Sequence, residues 1–307
     1  MKIALIGQNQ YALTVAWGIC HSELAQKIVL FSGTQSHNIK GTRNTINRRS
    51  ITESVEDISL ASALSASDSD VTFTKDVEDL TDTDVVVLLP ASLPYGFHST
   101  QALKTTNLSN ARHIFPIIHE SIQDAIILCA MPFANYVSAW IHQTYELSKL
   151  IGIANGIATA HLKSEIANRI GLSVKDVSAL AIGNDEVTHP LSQYCRVNGI
   201  PLTQLMDETE IQNLISNVAN RCQYTTANEF TLTSHILQVL SAISLDKKRV
   251  MSVGTLISTD TTSVFLNVPS RIGSDGIEGI VPLELTEPQR EQFKQLIAQS
   301  AAEQNRN

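Results

Sequence analysis

A chain of 307 residues, 43% of them hydrophobic, can bury one large core or, as expected here, two smaller ones. Its formal net charge of -8 and pI near 5.6 argue against nucleic acid or an anionic membrane surface as the main partner, because phosphate binding needs a concentrated basic face. Cys20, Cys129, Cys195 and Cys222 are scattered without CxxC spacing, so neither a zinc site nor a disulfide framework is indicated, and a reducing cytoplasm fits. The first apolar run is too short for a signal peptide, and no stretch of about 18 uninterrupted apolar residues occurs, which predicts a soluble protein with no membrane partner.

Lys2 to Ile6 reads as an apolar strand that breaks at Gly7 and turns through Gln8-Asn9-Gln10 into a helix with Ala12, Val15, Ala16, Ile19 and Cys20 facing inward. A second apolar strand, Lys27 to Phe31, completes a βαβ start. Ser36 to Ala66 contains one or two helices, and the basic residues Arg43, Arg48 and Arg49 read as a solvated helix face. Strands follow at Val71 to Thr74 and Val85 to Leu89. A loop containing Pro90, Pro94 and Gly96 leads to a helix reaching about Ile122, and the strand Ala125 to Ala130 is again buried. The alternation predicts an α/β fold with a doubly wound, Rossmann-like parallel sheet over residues 1–149.

A helix near Tyr136 to Ser148 leads to the predicted boundary near Lys149, and residues 150–307 form a second, α+β domain. Apolar Ile157, Ala160, Leu162, Ile166, Ala167 and Ile170 mark one helix, which Gly171 closes. An alternating strand from Val177 ends at Gly183, and Asn184, Asp185, Glu186, Thr188 and His189 gather in the loop after it. Helical patterns fill Asp207 to Leu245. Strands follow at Arg249 to Ser258, Thr262 to Ile272 and Ile277 to Leu285, the last two joined by the turn Gly273 to Gly276. Thr286 and Gln289 fit a capping box opening a final helix to about Ala302.

Four stretches, MKIALIG, DTDVVVLLPAS, GLSVKDVSALAIG with VNGIPL, and GSDGIEGIVPLELTEPQREQFKQ, resemble the lactate/malate dehydrogenase family along nearly the whole chain. The resemblance implies NAD or NADP as cofactor, a small-molecule ligand and a homodimer or homotetramer. Its functional residues are matched unevenly. The dinucleotide turn GxGxxG meets Gly7, Asn9 and Ala12, so only the first glycine of a turn that must approach pyrophosphate is kept. Ser32 stands where a carboxylate would hold the ribose hydroxyls, and Pro90 opens the turn that would cover the nicotinamide ribose.

The family's two loop arginines fall on Pro94 and Thr100, leaving His98 as the nearby polar group, and Met131 replaces the asparagine of an Asn-Pro motif. The aspartate and substrate-binding arginine of the next helix fall on Ala158 and His161, and the acid/base histidine falls on Asp185. A neutral imidazole cannot replace a bidentate guanidinium. His161 and Asp185 either form a carboxylate-imidazole dyad able to move a proton or line a lapsed cleft as unrelated polar groups, and His189 is a further candidate base. The sequence therefore points first to a pseudoenzyme with a ligand-binding, regulatory or assembly role. The alternative is an active NAD(P)-dependent oxidoreductase that uses His161 and Asp185 on an atypical carbonyl or hydroxy substrate. A third possibility, an interaction protein, rests on the apolar helices Ala12 to Cys20 and Ile236 to Ile243.

Overall fold

Runs that are apolar at every position, such as Ile3-Ala4-Leu5-Ile6 and Val85-Val86-Val87-Leu88, suit strands covered on both faces. The computed structural model describes residues 1–7, 10–33, 50–90, 99–153, 156–224, 229–260 and 262–305. In it, β1 (Lys2–Ile6) is followed by α1 (Gln10–His21), β2 (Lys27–Phe31), α2 (Ile51–Leu64), β3 (Asp70–Thr74) and β4 (Val85–Leu88). Then come α3 (Thr100–Ile118), β5 (Ile126–Cys129), α4 (Ala134–Tyr145) and β6 (Leu150–Gly152). These strands pair in parallel in the order β3-β2-β1-β4-β5-β6, and the order reverses between β1 and β4, where a doubly wound sheet opens its crevice. Alternate side chains face opposite layers: Ile3, Leu5 and Val87 pack with α1 and α2, whereas Ala4, Ile6 and Val86 pack with α3 and α4.

The chain continues through α5 (Gly156–Ile170), β7 (Val177–Ser178), β8 (Ala181–Gly183), β9 (Thr188–Pro190), β10 (Arg196–Val197) and β11 (Ile200–Pro201). It ends with α6 (Glu208–Tyr224), α7 (Glu229–Ser244), β12 (Arg249–Ser258), β13 (Ser263–Gly273), β14 (Gly276–Ile280) and α8 (Glu287–Gln304). Beyond β6 the large sheet runs on antiparallel as β12-β13-β8-β9, with β14 paired to β13, while β11-β10-β7 form a separate small sheet. The α/β class expected from the sequence is the one adopted.

Several local expectations change. The helix expected to reach Ser148 stops at Tyr145, because Glu146 takes a left-handed conformation with φ 55°, and the chain then enters β6, which the sequence reading did not separate. The alternating run from Val177 to Gly183 is two strands in different sheets. Ala160 is exposed, and the fully buried small residue of α5 is Ala158. The final strand stops at Ile280 rather than Leu285. The apolar stripes of α1 and α7 face one shared core, with Val15, Ile19, Ile236 and Val239 all fully buried and Leu13, Trp17 and Leu237 partly so.

One row of residues sets how closely α4 approaches the sheet. Gly152 of β6 pairs with Gly254 of β12, Gly254 with Asn267 of β13, and Asn267 with Gly183 of β8. The Asn135 side chain of α4 enters the notch left by the glycines: a Cβ on Gly152 would lie 2.7 Å from Asn135 Oδ1, and one on Gly254 would overlap the same atom. Cross-strand partners share a face, so Asn267 points to the α4 side as well. Both amides are fully buried.

Candidate functional site

The tip between β8 and β9 is built by Asn184. Its Oδ1 accepts from the N–H of Glu186 at 2.9 Å and of Val187 at 2.7 Å, an Asx-type turn, and its Nδ2 donates to Ser300 Oγ of α8 at 3.1 Å. This turn carries Asp185 to the N-terminal end of α4. There Asp185 Oδ1 accepts from Asn135 N–H at 3.2 Å and Oδ2 from Tyr136 N–H at 3.0 Å. The first N–H groups of a helix have no intrahelical partner and sit at the positive end of its dipole, so a carboxylate suits them. The residue as a whole keeps some exposure, but its carboxyl group is desolvated. That burial pushes its pKa up to about 7 against the opposing pull of the two N–H groups and the Lys104 charge, with Glu186 adding to the rise.

Lys104 of α3 was not singled out from the sequence. Its side chain is only 11% exposed, its Nζ lies 4.1 Å from the centre of the Tyr136 ring, and it pairs with Glu303 Oε2 of α8 at 3.1 Å. One turn further on, Asn107 is 1% exposed; its Nδ2 donates to the Pro132 carbonyl at 3.5 Å and its Oδ1 has no partner. A signal existed: Lys104 is the only charged residue from Ser99 to Asn110, and it borders the face that buries Leu103, Asn107 and Leu108.

The other candidates are dispersed. His161 lies half-buried on α5, and among the described residues no hydrogen bond or ion pair joins it to Asp185, whose carboxyl is turned to α4. Ala158 is fully buried beside it on α5. His189 pairs with Ile182 within the β8–β9 hairpin, and burial lowers its pKa. A histidine that sequence reasoning passed over, His235 of α7, lies against Gly156, the first residue of α5, where a Cβ would overlap its ring. Burial lowers the His235 pKa to about 4, and its Nδ1 has no partner.

At the positions where the resemblance would put a dinucleotide, Gly7 donates to the Phe31 carbonyl at 3.2 Å, Ala12 is buried at 1%, and Pro90 is buried after β4. Ser32 is 3% exposed and its hydroxyl turns to the Gly33 carbonyl at 3.4 Å, while a Cβ on Gly33 would overlap Ile114 of α3. Thr100 is exposed at the start of α3, and Met131 is buried at the foot of α4. Asn9, Pro94, His98, Arg43, Arg48 and Arg49 lie outside the described residues.

Comparison with known proteins finds relatives along nearly the whole chain. The malate dehydrogenase of Nitrosococcus oceani is 26% identical over 304 residues, which cover 95% of this chain and 94% of the relative. That of Pelodictyon phaeoclathratiforme is 25% identical over 310 residues, covering 97% and 96%. Among solved structures, the lactate dehydrogenase of Cryptosporidium parvum in complex with lactic acid and nicotinamide adenine dinucleotide superposes with a TM-score of 0.84 at 22% identity, over 99% of this chain and 96% of that one. The malate dehydrogenase of the same organism gives 0.81 at 18%, over 99% and 98%. These superpositions establish a shared fold. No family model matches the chain.

Proposed function

We propose that the chain, as a member of the lactate/malate dehydrogenase family, has given up ordinary 2-hydroxy-acid dehydrogenase activity and serves as a ligand-binding, regulatory or assembly protein. The observation that carries this reading is the engagement of Asp185 with the N–H groups of Asn135 and Tyr136. By the family resemblance, that hairpin position would carry the acid/base group toward substrate. On α5, Ala158 offers no carboxylate to orient an imidazole, and His161 offers no guanidinium for a substrate carboxylate.

A relative of known structure binds nicotinamide adenine dinucleotide, but the residues described at the end of β2 do not fit its adenosine half. Ser32 supplies no carboxylate for the ribose hydroxyls, and Ile114 packs directly onto Gly33. Purified protein incubated with NADH or NADPH and a panel of 2-keto acids at neutral pH is expected to show no turnover above buffer. Robust turnover that is lost on replacing His161 or Asp185 would overturn the reading.

The oxidoreductase alternative has one observation in its favour. Burial holds the Asp185 pKa at about 7, where a carboxyl can donate and recover a proton, as a general acid/base must. That alternative requires cofactor binding: a rise in melting temperature, or a change in fluorescence from Trp17 and Trp140, with saturating NAD(H) or NADP(H) would support it, and no response would remove it.

Division of the chain near residue 149 belongs to the proposal, supported by the change from parallel to antiparallel pairing after β6. So do self-association as a homodimer or homotetramer and residence in the cytoplasm. The latter is supported by the four unpaired cysteines. Sedimentation showing monomer alone at micromolar concentration would remove the oligomer.

A further inference from the structure

We propose that Tyr11 is a built-in plug, whose ring fills the crevice at the carboxyl ends of β1 and β4 and leaves no room there for the nicotinamide half of a dinucleotide. The proposal rests on the reading of the chain as a family member without dehydrogenase activity, and it adds a cause that lies outside α5 and the β8–β9 tip.

Position comes first. Leu89, the residue after β4, donates to the Ile6 carbonyl at the end of β1 at 3.1 Å, and a Cβ on Gly7 would stand 3.2 Å from that of Leu89. A doubly wound sheet takes its ligand at such a switch point, outside the ends of its strands. Four residues on from Gly7, in the first turn of α1, Tyr11 is 1% exposed and among the largest fully buried side chains. It belongs to the core cluster that also holds Leu89, Ile153 beyond β6, Ile157 of α5 and Leu232 of α7, so the ring is packed where a ligand ring would need space.

The polar end of the ring is the second observation. A buried tyrosine hydroxyl usually finds a partner, yet Tyr11 Oη completes no hydrogen bond among the described residues. The Thr233 hydroxyl stands beside it but spends its own proton on the Glu229 carbonyl at 2.7 Å. Phenylalanine would pack there without an orphaned hydroxyl, so apolar packing alone does not account for the residue. The third observation is what holds the plug in. Thr14, one turn further along α1, donates to Glu229 Oε1 at the start of α7 and ties the two first turns side by side. The same Glu229 carboxylate acts on the Tyr11 phenol, and with the phenol gone it would favour a cationic ring, as the oxidised nicotinamide is.

The test is a calorimetric and thermal titration of the full chain with oxidised nicotinamide mononucleotide, which carries no adenosine to meet Ser32 and Ile114, against ribose 5-phosphate, which carries no ring. Tyr11→Ala is expected to gain saturable binding of the mononucleotide, at least about tenfold tighter than in the unaltered chain and absent with ribose 5-phosphate. Tyr11→Phe keeps the ring and should stay as unresponsive as the parent. Phe115→Ala opens a cavity at a fully buried position in the opposite layer and should gain nothing. Should Tyr11→Ala fail to fold, Tyr11→Val enters the same titration. Mononucleotide binding by the parent as tight as by Tyr11→Ala, no gain in Tyr11→Ala over ribose 5-phosphate, or an equal gain in Phe115→Ala overturns the plug. Each of those results leaves the loss of dehydrogenase activity standing on Asp185 and α5; only turnover in the 2-keto acid assay removes that reading.

Discussion

The N-terminal ends of α4 and α5 are each covered by a titratable side chain, and the two are of opposite kind. At α4 the cover is Asp185, hydrogen-bonded to two backbone N–H groups; at α5 it is His235, packed against Gly156 with no partner at Nδ1. Burial disfavours charge in both, so it moves the acid up to about 7 and the base down to about 4. The imidazole is thus neutral near physiological pH, which suits a helix end that repels cations. The carboxyl alone stands near its midpoint there. Two similar backbone ends have become a proton-holding contact and an inert packing contact, and the difference comes from one side chain in each case.

The strongest way to break this contrast is to give α5 a charge of its own. Ala158→Asp would place an unpaired carboxylate at a fully buried position and should cost about 3–5 kcal/mol of stability, read from urea denaturation. A cost near zero would mean that α5 tolerates the charge and that its end is not a packed contact. Gly156→Ala is next, because its methyl would overlap the buried His235 ring; an overpacking cost of about 1–3 kcal/mol is expected in the same experiment.

The two ends also predict opposed pH slopes. Between the usual carboxylate value of 3.8 and about 7, folded Asp185 keeps a proton that the unfolded chain releases, so its contribution is present at acid pH and is lost as pH rises through 7. Between 6.5 and about 4, unfolded His235 takes a proton that the folded chain refuses, so its contribution is present above 6.5 and is lost as pH falls. Asp185→Asn should leave stability that climbs from pH 4 to 6.5, and His235→Asn should leave stability that declines from pH 4 to 7. Denaturation midpoints across this range check both, and parallel curves for the two variants would erase the distinction. The smallest effect belongs to Lys104→Met. Losing its pair with the partly exposed Glu303 should cost about 1 kcal/mol or less, while the Asp185 titration, followed by carboxyl NMR, moves upward.

Legibility from sequence followed the physics that fixes each feature. β1, β2 and β12 begin and end as expected, because unbroken or alternating apolar runs bounded by glycine and polar residues define them locally. The opening of α8 was equally plain, since Thr286 and Gln289 carry their capping chemistry in their side chains, and Thr286 N–H indeed donates to Gln289 Oε1 at 3.0 Å. The end of α4 was not legible, because Glu146 adopts a glycine-like conformation without being glycine. Within the candidate site, the unusual residue at position 185 could be found by counting along the family resemblance. Its partners could not: they are backbone N–H groups about fifty positions earlier, which leave no mark in side-chain identity. Lys104 was hidden for a related reason, since it meets the site through Tyr136 and Glu303, which only the folded chain brings near it.

Asn135 has two attachments that are easily taken as separate. Its side chain is a peg in the notch of Gly152 and Gly254, and its backbone N–H is one of the two hooks on Asp185. A rigid helix transmits displacement along its axis, so the peg fixes where the hook stands. The sheet therefore indexes the hairpin tip, and a methyl added at Gly254, on the far strand of the notch, would act as a shim under α4. It would lift the hooks from the carboxyl and retune a proton that it never touches.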